Sequence, residues 1–373
     1  MRSKARVTYE DLQSIFESKE KVHESESFIA RLAVPLYGAF NALHTARINR
    51  GALDIEVPEM QVQLDTKGNV ESIKDRDRLD SHRLIEEFMV LANVCAAETL
   101  EEKKYPCVYR VHDVPNEDKV DGLRLNLEAF GIKLIKGQVI TSKLFNEILK
   151  KAAKHDAKET INQLVLRSQS QAIYSSNNLG HFGLGLRRYA HFTSPIRRYS
   201  DLLVHRALIL AHNYGTDGGI KTTAEELEPI CEAISITERR AAVAERSAND
   251  RYSASFMAQK VGESFDAVIT SVMRFGVFVR LDNSYADALL PVRSLPYDYY
   301  EHDDKRHTLT GKNNGITFSL GVKIPVSLRT ADPITGRLSV DYAGGLPEKT
   351  SVVNKKTRKT RDNRRKLKQL SKR

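Results

Sequence analysis

The hydrophobic periodicity of the sequence changes at Gly262, and this change constrains the fold more than any other feature. Before Gly262, apolar residues recur mostly at three- and four-residue steps, which indicates amphipathic helices with a few short strands between them. After Gly262 the period becomes two, and five strand-like segments follow within roughly 80 residues. These segments are 265–269, 276–281, 288–292, 323–328 and 338–342. Five short strands predict a small Greek-key barrel of the OB type, so the chain is predicted to be an α+β protein.

The helical part contains several elements that the pattern defines in more detail. A helix is predicted over 25–50 with a break or kink at Pro35, followed by a strand over 53–57. A hairpin is predicted around the turn at 67–69, and a long helix over 81–102. The apolar face of that long helix is predicted to consist of Leu84, Phe88, Leu91 and Cys95.

The composition is typical of a soluble globular protein with two or three domains. The chain has 373 residues, of which 41% are hydrophobic and 28% charged. No run approaches the length of a membrane span, and the first residues lack the apolar segment of a signal peptide. We therefore expect a cytoplasmic protein without a membrane partner. Cys95, Cys107 and Cys231 lack Cys-x-x-Cys spacing, so we expect buried thiols rather than disulfides or a zinc site.

The formal net charge of +10 is concentrated at the C-terminus. Residues 355–373 contain eleven lysine and arginine residues against one aspartate, so the rest of the chain is formally neutral. A segment this basic and this poor in apolar residues cannot bury a core. We therefore expect 344–373 to be a disordered tail that binds polyanions. A binding groove elsewhere must come from local segregation of charge.

A helix start near the middle of the chain has the features of an anion-binding site. Ser194 is a good N-cap residue and Pro195 suits the first helical position, which predicts a helix over 195–211. Arg197 and Arg198 then lie in the first turn, where the helix dipole disfavours cations.

Two partners can compensate these cations. A phosphate would meet free amides, the dipole and a forked guanidinium together. Alternatively, Arg197 pairs with Asp201 four residues later, which is the weaker orientation of such a pair. The spacing leaves both possibilities open.

The run Thr193-Ser-Pro-Ile-Arg-Arg-Tyr199, preceded by Gly183-Leu-Gly-Leu186, closely resembles the signature of the ribonuclease II/ribonuclease R (RNB) family. The resemblance extends from Ser3 to about Tyr342 and is strongest to the ribonuclease R branch. It implies a processive 3′-to-5′ exoribonuclease that hydrolyses RNA to nucleoside 5′-monophosphates.

The resemblance also implies a domain organisation. Residues 1–258 would be the C-terminal part of the catalytic domain and 262–343 an S1-type RNA-binding barrel. The basic tail would follow at 344–373.

The resemblance implies roles for residues around this predicted helix start. Arg197 matches a catalytic position, and Glu245, in the context Ala244-Glu-Arg, matches a glutamate near the scissile phosphate. Ser194 and Arg198 would bind RNA beside them. Without the resemblance, Glu245 would be interpreted as one charge of an exposed helix with many ion pairs.

Tyr9 and Glu86 match family positions near the 3′ end of the RNA, where contacts to a 2′-hydroxyl would favour RNA over DNA. Taken alone, Tyr9 fits a core or strand-edge aromatic. Ile55 stands where ribonuclease II has a stacking phenylalanine, and this departure resembles the ribonuclease R branch.

Three aromatic residues of the predicted barrel are candidates for base stacking: Phe275, Phe278 and Tyr285. Phe278 fits a core position equally well.

The family resemblance implies Mg²⁺, held by an aspartate cluster that is not found in this sequence. The nearest segment, Asp75-Arg-Asp-Arg-Leu-Asp80, interleaves carboxylates with arginines and is interpreted as charge pairing, so no metal ligand is assigned. We therefore expect the C-terminal portion of a ribonuclease R-like enzyme, with single-stranded or structured RNA as its partner. The alternative is a non-catalytic or split RNA-binding fragment that needs a second, N-terminal chain for activity.

Overall fold

The computed structural model describes residues 2–3, 5–17, 28–55, 59–155, 157–219, 221–282, 284 and 286–344. They form two compact units. The first consists chiefly of Met1–Lys260, and the second of Val261–Asp282, Asp287–Thr330 and residues from Ser339 on. Tyr285 and the tail beyond residue 344 lie outside the described residues.

The first unit is mostly helical. Its helices are α1 (Tyr9–Glu17), α2 (Phe28–Arg50), α3 (Asp80–Glu102), α4 (Glu117–Ala129), α5 (Ser142–Ala152), α6 (Lys158–Ser168), α7 (Tyr199–His212) and α8 (Ala224–Ala258). Its strands form two antiparallel pairs, β1 (Met60–Leu64) with β2 (Val70–Asp75) and β3 (Tyr109–Val111) with β4 (Ile173–Ser175). None of the helices in the described part of the chain is long and apolar enough to cross a membrane.

The predicted hairpin is confirmed in β1 and β2. Asp65 accepts the amides of Lys67 and Asn69 at 2.8 Å each, which closes the turn. Gly68 has a φ of 83° in this turn, a conformation that glycine adopts without a steric penalty.

Of the break or kink predicted at Pro35, the break is wrong, because α2 continues through this residue. Proline removes one amide, which would have bonded to the carbonyl of Arg31. Both residues are exposed, so water can satisfy that carbonyl. The predicted strand over 53–57 is also absent from its described part. The amide of Leu53 instead donates to the carbonyl of Gly183 at 2.7 Å.

The face that α3 buries differs from the predicted one. Leu84 is buried, but Leu91 and Cys95 are exposed. The prediction of a buried thiol is therefore wrong for Cys95 and confirmed for the other two cysteines. The residues of α3 that are buried are Ser81, Leu84, Glu87, Val90, Asn93, Ala96, Ala97 and Leu100. Polar residues can be buried on this face because they have hydrogen-bonding or ionic partners, such as Arg47 for Glu87 and the Tyr189 hydroxyl for Asn93.

The second unit contains the predicted barrel. Its strands are β5 (Ser264–Met273), β6 (Gly276–Leu281), β7 (Asp287–Pro291), β11 (Lys323–Asp332) and β12 (Arg337–Tyr342), which close in the order β11-β12-β7-β6-β5. The inward side chains alternate along each strand, and Ile269, Val279, Leu290 and Val326 are fully buried. The five-stranded barrel is thus confirmed.

An additional three-stranded sheet was not predicted. It consists of β8 (Tyr300–Asp303), β9 (Thr308–Gly311) and β10 (Thr317–Ser319), in the order β10-β9-β8. Phe318 and Leu309 are buried beneath it. The strands have only three or four residues each, too few for a clear alternation of apolar and polar residues.

The close approach of β6 and β7 at Gly276 leads to a stability prediction. Gly276 has a φ of 154°, and a Cβ there would overlap the carbonyl oxygen of Leu290. We expect Gly276→Ala to destabilise the barrel by roughly 2 kcal/mol, measured by thermal unfolding. Gly122→Ala in α4 is the control, because a Cβ there meets nothing within 4 Å and stability should not fall. Equal melting temperatures for wild type and Gly276→Ala would contradict this account.

Candidate functional site

The arginine turn, residues 192–198, is held from beneath by two buried side chains. Oδ1 of Asn93 accepts the amides of Phe192 at 2.8 Å and Thr193 at 3.3 Å. Oδ1 of Asp201 accepts the amide of Ser194 at 2.8 Å. Asn93 and Asp201 are both buried, so the backbone of the turn has little freedom.

The helix after this turn begins later than predicted. It starts at Tyr199, and Arg198, with φ −126° and ψ 121°, is the N-cap residue. Ser194 is therefore not the N-cap. Its carbonyl instead accepts the amides of Arg197 at 3.3 Å and Arg198 at 3.1 Å, which makes a separate turn. Proline is as well suited to that turn as to a first helical position.

Arg198 is the partner of Asp201. Its Nε lies 2.9 Å from Oδ2 and one of its terminal nitrogens 2.9 Å from Oδ1, which is a bidentate ion pair. Burial alone would raise the pKa of Asp201. The hydrogen bonds from Arg198 and the Ser194 amide, together with the Arg198 charge, outweigh burial and lower the pKa overall.

Arg197 points into solvent instead. Its side chain is exposed and forms no hydrogen bond or ion pair with any residue that the structure describes. The predicted alternative, an Arg197–Asp201 pair, is wrong, because the neighbouring Arg198 occupies the carboxylate three residues later. Arg197 is thus a free cation on a rigid turn, next to first-turn amides that have no intrahelical acceptor.

The two glycines of the Gly183-Leu-Gly-Leu186 run allow close contacts. A Cβ on Gly183 would lie 2.8 Å from Nδ1 of His112, and one on Gly185, where φ is 62°, would lie 2.9 Å from the carbonyl oxygen of Arg50. The amide of Gly183 donates to Nδ1 of His112 at 2.9 Å. The run therefore packs backbone directly against a histidine ring and the end of α2.

A cavity of about 730 Å³ opens elsewhere in the first unit and contains two residues singled out in the sequence, Ile55 and Glu86. Oε2 of Glu86 lies 2.6 Å from Arg78, and its side chain is 38% exposed. His82 lines the same cavity and stacks on Tyr9, with ring centroids 4.2 Å apart. The structure thus brings Glu86, Ile55 and, through His82, Tyr9 to one place. The Tyr9 ring is exposed rather than part of a core.

The neighbouring carboxylate has a different environment. The Glu87 side chain is only 5% exposed and lies 2.9 Å from Arg47 and 3.7 Å from Arg50. Arg47 also lies 3.6 Å from Glu86. Glu87 therefore holds α2 against α3, whereas Glu86 remains accessible from the cavity.

The segment 75–80 does not fit a metal site. Arg76 and Arg78 pair with Glu59 and Glu86, not with the aspartates beside them. Among the described residues there is no group of three or more His, Cys, Asp or Glu side chains that could hold a metal ion. We therefore derive no catalytic step through a metal from these residues.

Two glutamates of α8, Glu238 and Glu245, also differ in their environments. Glu238 pairs with Arg110 at 2.6 Å, and the guanidinium of Arg110 lies 4.7 Å from the centroid of the Tyr174 ring. The Tyr174 hydroxyl in turn lies 2.9 Å from Nδ1 of His191. Glu245 is exposed, and no hydrogen bond or ion pair joins its side chain to another described residue, including Arg197.

In the second unit, Phe275 and Phe278 form an edge-to-face pair with ring centroids 6.2 Å apart. Phe275 is 58% exposed, and Phe278 is half-buried. Tyr297 and Tyr299, which the sequence analysis did not single out, are more exposed than either. The sequence signal was the run Pro296-Tyr-Asp-Tyr-Tyr300 in a region without a predicted strand.

Comparison with known families identifies the class. The RNB domain matches residues 1–213, and the S1 RNA binding domain matches residues 258–340. The chain therefore belongs to the RNB family and carries an S1 domain, and the resemblance first noted at Thr193–Tyr199 is confirmed.

Individual relatives are named Ribonuclease R. The protein of Vibrio cholerae serotype O1 is 36% identical over 337 residues, which cover 88% of this chain and 41% of the relative. The Escherichia coli K12 protein is 36% identical over 340 residues, which cover 89% and 42%.

The fold is similar to that of Mycoplasma genitalium RNase R solved with ribose methylated single-stranded RNA. The TM-score is 0.83 and the sequence identity 27%, with 91% of this chain and 53% of that chain covered. The chain thus spans about two fifths to one half of the length of these relatives.

The histidines beside the glycine run lead to a prediction on pH. Nδ1 of His112 accepts a hydrogen bond from the Gly183 amide, and Nε2 lies 2.9 Å from the Ser170 carbonyl oxygen. Only a neutral ring with its hydrogen on Nε2 can make both hydrogen bonds. His181 accepts the Leu184 amide at Nδ1. Burial lowers the pKa of both, and burial together with His112 lowers the pKa of His181 to about 3.

In the folded state the pKa of each histidine lies below the unfolded value near 6.5. The contribution of the two neutral rings to the stability of the fold is therefore complete above that pH and is lost as the pH falls below it. At His181 we expect roughly 1 kcal/mol to be lost between pH 6.5 and 5.5, measured by thermal unfolding. His181→Asn keeps an acceptor and does not titrate, so its stability should fall less steeply. Identical pH profiles for the two proteins would show that His181 is not responsible.

Proposed function

We propose that the chain is the RNA-binding and phosphate-positioning part of a 3′-to-5′ exoribonuclease of the ribonuclease R type. Its product would be nucleoside 5′-monophosphates. The observation that carries the proposal is Arg197, an exposed cation without a described partner on a turn that Asn93 and Asp201 hold rigid. A cation held in this way can bind a phosphate without first breaking an ion pair.

Arg197 and Glu245 are the proposed catalytic residues, and Ser194 and Arg198 support the RNA beside them. Arg198 would act mainly through the ion pair that shapes the turn. The relatives named Ribonuclease R and the RNase R structure with single-stranded RNA support the type of enzyme to which these roles belong.

The cavity at Glu86 is proposed to receive the 3′ end of the RNA. The carboxylate of Glu86 is accessible and can accept a hydrogen bond from a 2′-hydroxyl. Tyr9, fixed on His82, would contact a neighbouring nucleotide. Phe275 and Phe278 are proposed to stack on bases farther along the strand. Tyr285 is also proposed to stack on a base, as predicted from the sequence.

The domain organisation is proposed to be 1–258, 262–343 and a basic segment over 344–373. A cytoplasmic location is part of the same proposal. The family suggests a divalent metal, with Mg²⁺ proposed, which would stabilise charge on the phosphate. Because the described carboxylates do not fit such a site, a second chain carrying the metal ligands is proposed for activity. A non-catalytic RNA-binding module is the alternative, favoured by the absence of a metal-binding group among the described residues.

Adjacent arginines with opposite environments allow a direct test of the site. Arg197→Ala should raise the Kd for a labelled single-stranded oligoribonucleotide and reduce the salt slope by about 0.7, because one phosphate contact is lost. Its melting temperature should not change. Arg198→Ala should lower stability by about 3 kcal/mol, because the buried Asp201 loses its partner. Loss of stability in Arg197→Ala, or unchanged RNA binding, would contradict the proposed roles.

Activity is tested by complementation. The chain is mixed with the part of a ribonuclease R relative that lies outside the match, in the presence of Mg²⁺ and 5′-labelled RNA. We expect shortening from the 3′ end with both chains present, no shortening with either alone, and none with Arg197→Ala. If RNA binds but is never shortened by the mixture, the non-catalytic module is the better account.

A further inference from the structure

Two tyrosines of the second unit are exposed on the loop before β8. Tyr297 is fully exposed and Tyr299 is 68% exposed. Single exposed apolar residues are common on protein surfaces, but two large rings so near in sequence are a local concentration of exposed aromatic area. Such rings often bind a flat partner.

The loop that carries them is rigid. Asp298, between the two tyrosines, accepts the amides of Tyr299 at 2.7 Å, Asn313 at 2.9 Å and Asn314 at 2.7 Å. The Tyr300 hydroxyl donates to the carbonyl of Pro296 at 2.8 Å. Because the backbone is fixed on both sides of each ring, the loop loses little conformational entropy when a ligand stacks on the rings.

The loop lies near the Phe275–Phe278 pair. A depression of about 920 Å³ is lined by Tyr299 and also by Arg274 and Val292. Arg274 precedes Phe275 in the chain, and the Val292 amide donates to the Phe275 carbonyl at 3.0 Å. The neighbours of Phe275 therefore share one surface with Tyr299.

The charges around the rings indicate the kind of ligand. The ammonium of Lys312 lies 6.0 Å from the centroid of the Tyr299 ring, and Arg274 is exposed. Glu301 and Asp304 also line the depression, and they would repel phosphates placed beside them. A ligand that turns flat uncharged groups toward these carboxylates and anionic groups toward Arg274 and Lys312 meets both conditions, and single-stranded RNA has this distribution.

We propose that Tyr297 and Tyr299 extend the Phe275–Phe278 pair into a stacking platform for consecutive bases of single-stranded RNA. This inference depends on the proposed RNA-binding function. It adds the residues that bind bases without a preference for their sequence. Lys312 and Arg274 bind the phosphates between the stacked bases.

The test uses the full chain in EDTA, which prevents hydrolysis, and a fluorescein-labelled oligoadenylate of about 12 nucleotides, a length within the site sizes of OB folds. Anisotropy gives the Kd at several KCl concentrations. Tyr297→Ser and Tyr299→Ser should each raise Kd by about 5-fold or more, with an unchanged salt slope, because stacking releases no counterions. Tyr297→Phe and Tyr299→Phe should bind as wild type does.

Lys312→Ala separates phosphate binding from stacking. It should weaken binding and reduce the salt slope by about 0.7, as expected for one phosphate contact on a single strand. Tyr214→Ser is the matched control, since Tyr214 is equally exposed but belongs to the first unit. It should leave Kd unchanged.

Three results would overturn the platform. One is an unchanged Kd in both serine variants while Phe275→Ser weakens binding, which would leave the proposed function intact and assign the tyrosines to another partner, such as a protein. Another is a loss of affinity in the serine variants that comes with a changed salt slope. The third is a wild-type chain that does not bind the oligoadenylate at all, in which case the proposed function fails as well.

Discussion

The ion pair between Arg198 and the buried Asp201 is the interaction on which the arginine turn depends. The carboxylate receives the guanidinium, the Ser194 amide and the Ser200 hydroxyl together. A buried charge without such partners would destabilise the fold strongly, so the sequence around it has few alternatives. Because this carboxylate is fully occupied, the preceding arginine, Arg197, is left to face solvent. A structural requirement thereby leaves one cation available for a ligand.

The same division between neighbouring residues of one type recurs in the first unit. Glu87 is buried between two arginines, while Glu86 faces the cavity. Glu238 pairs with Arg110, while Glu245 is exposed. Burial requires the arginine partners of Glu87, whereas Glu238 is held by Arg110 although its side chain is partly exposed. Residue type alone does not distinguish the members of a pair, whereas the partners that the fold brings to each one do.

Elements with a local sequence pattern were predicted correctly. The predictions failed where a tertiary contact determines the local structure. Period-two alternation was enough for the five barrel strands, and the family signature was enough to single out Arg197, Glu86 and Tyr9. The start of α7 was misplaced because Ser194 and Pro195 suit a tight turn as well as a helix. The carboxylate that decides between them lies seven residues away from Ser194.

Tertiary contacts also explain the other differences. The alternation over 53–55 does not make a strand because the Leu53 amide bonds to Gly183, far away in sequence. The buried face of α3 was expected to be apolar, but it includes Asn93 and Glu87. These polar side chains can be buried because each has hydrogen-bonding partners there. The strands of the β8–β10 sheet are too short to show a period.

The end of α2 connects the cavity to the glycine run through two arginines. Arg47 lies 3.6 Å from Glu86 and 2.9 Å from Glu87, and Arg50 contacts Glu87 and donates to the Leu184 carbonyl at 3.0 Å. A ligand that draws Glu86 toward itself changes the field at Arg47, and hence the sharing of Glu87 between the two arginines. Wherever such a change reaches the bond from Arg50 to Leu184, reciprocity requires the ligand and the glycine run to stabilise each other by the same factor. The end of α2 is thus a physical contact between two places that lie far apart in the sequence.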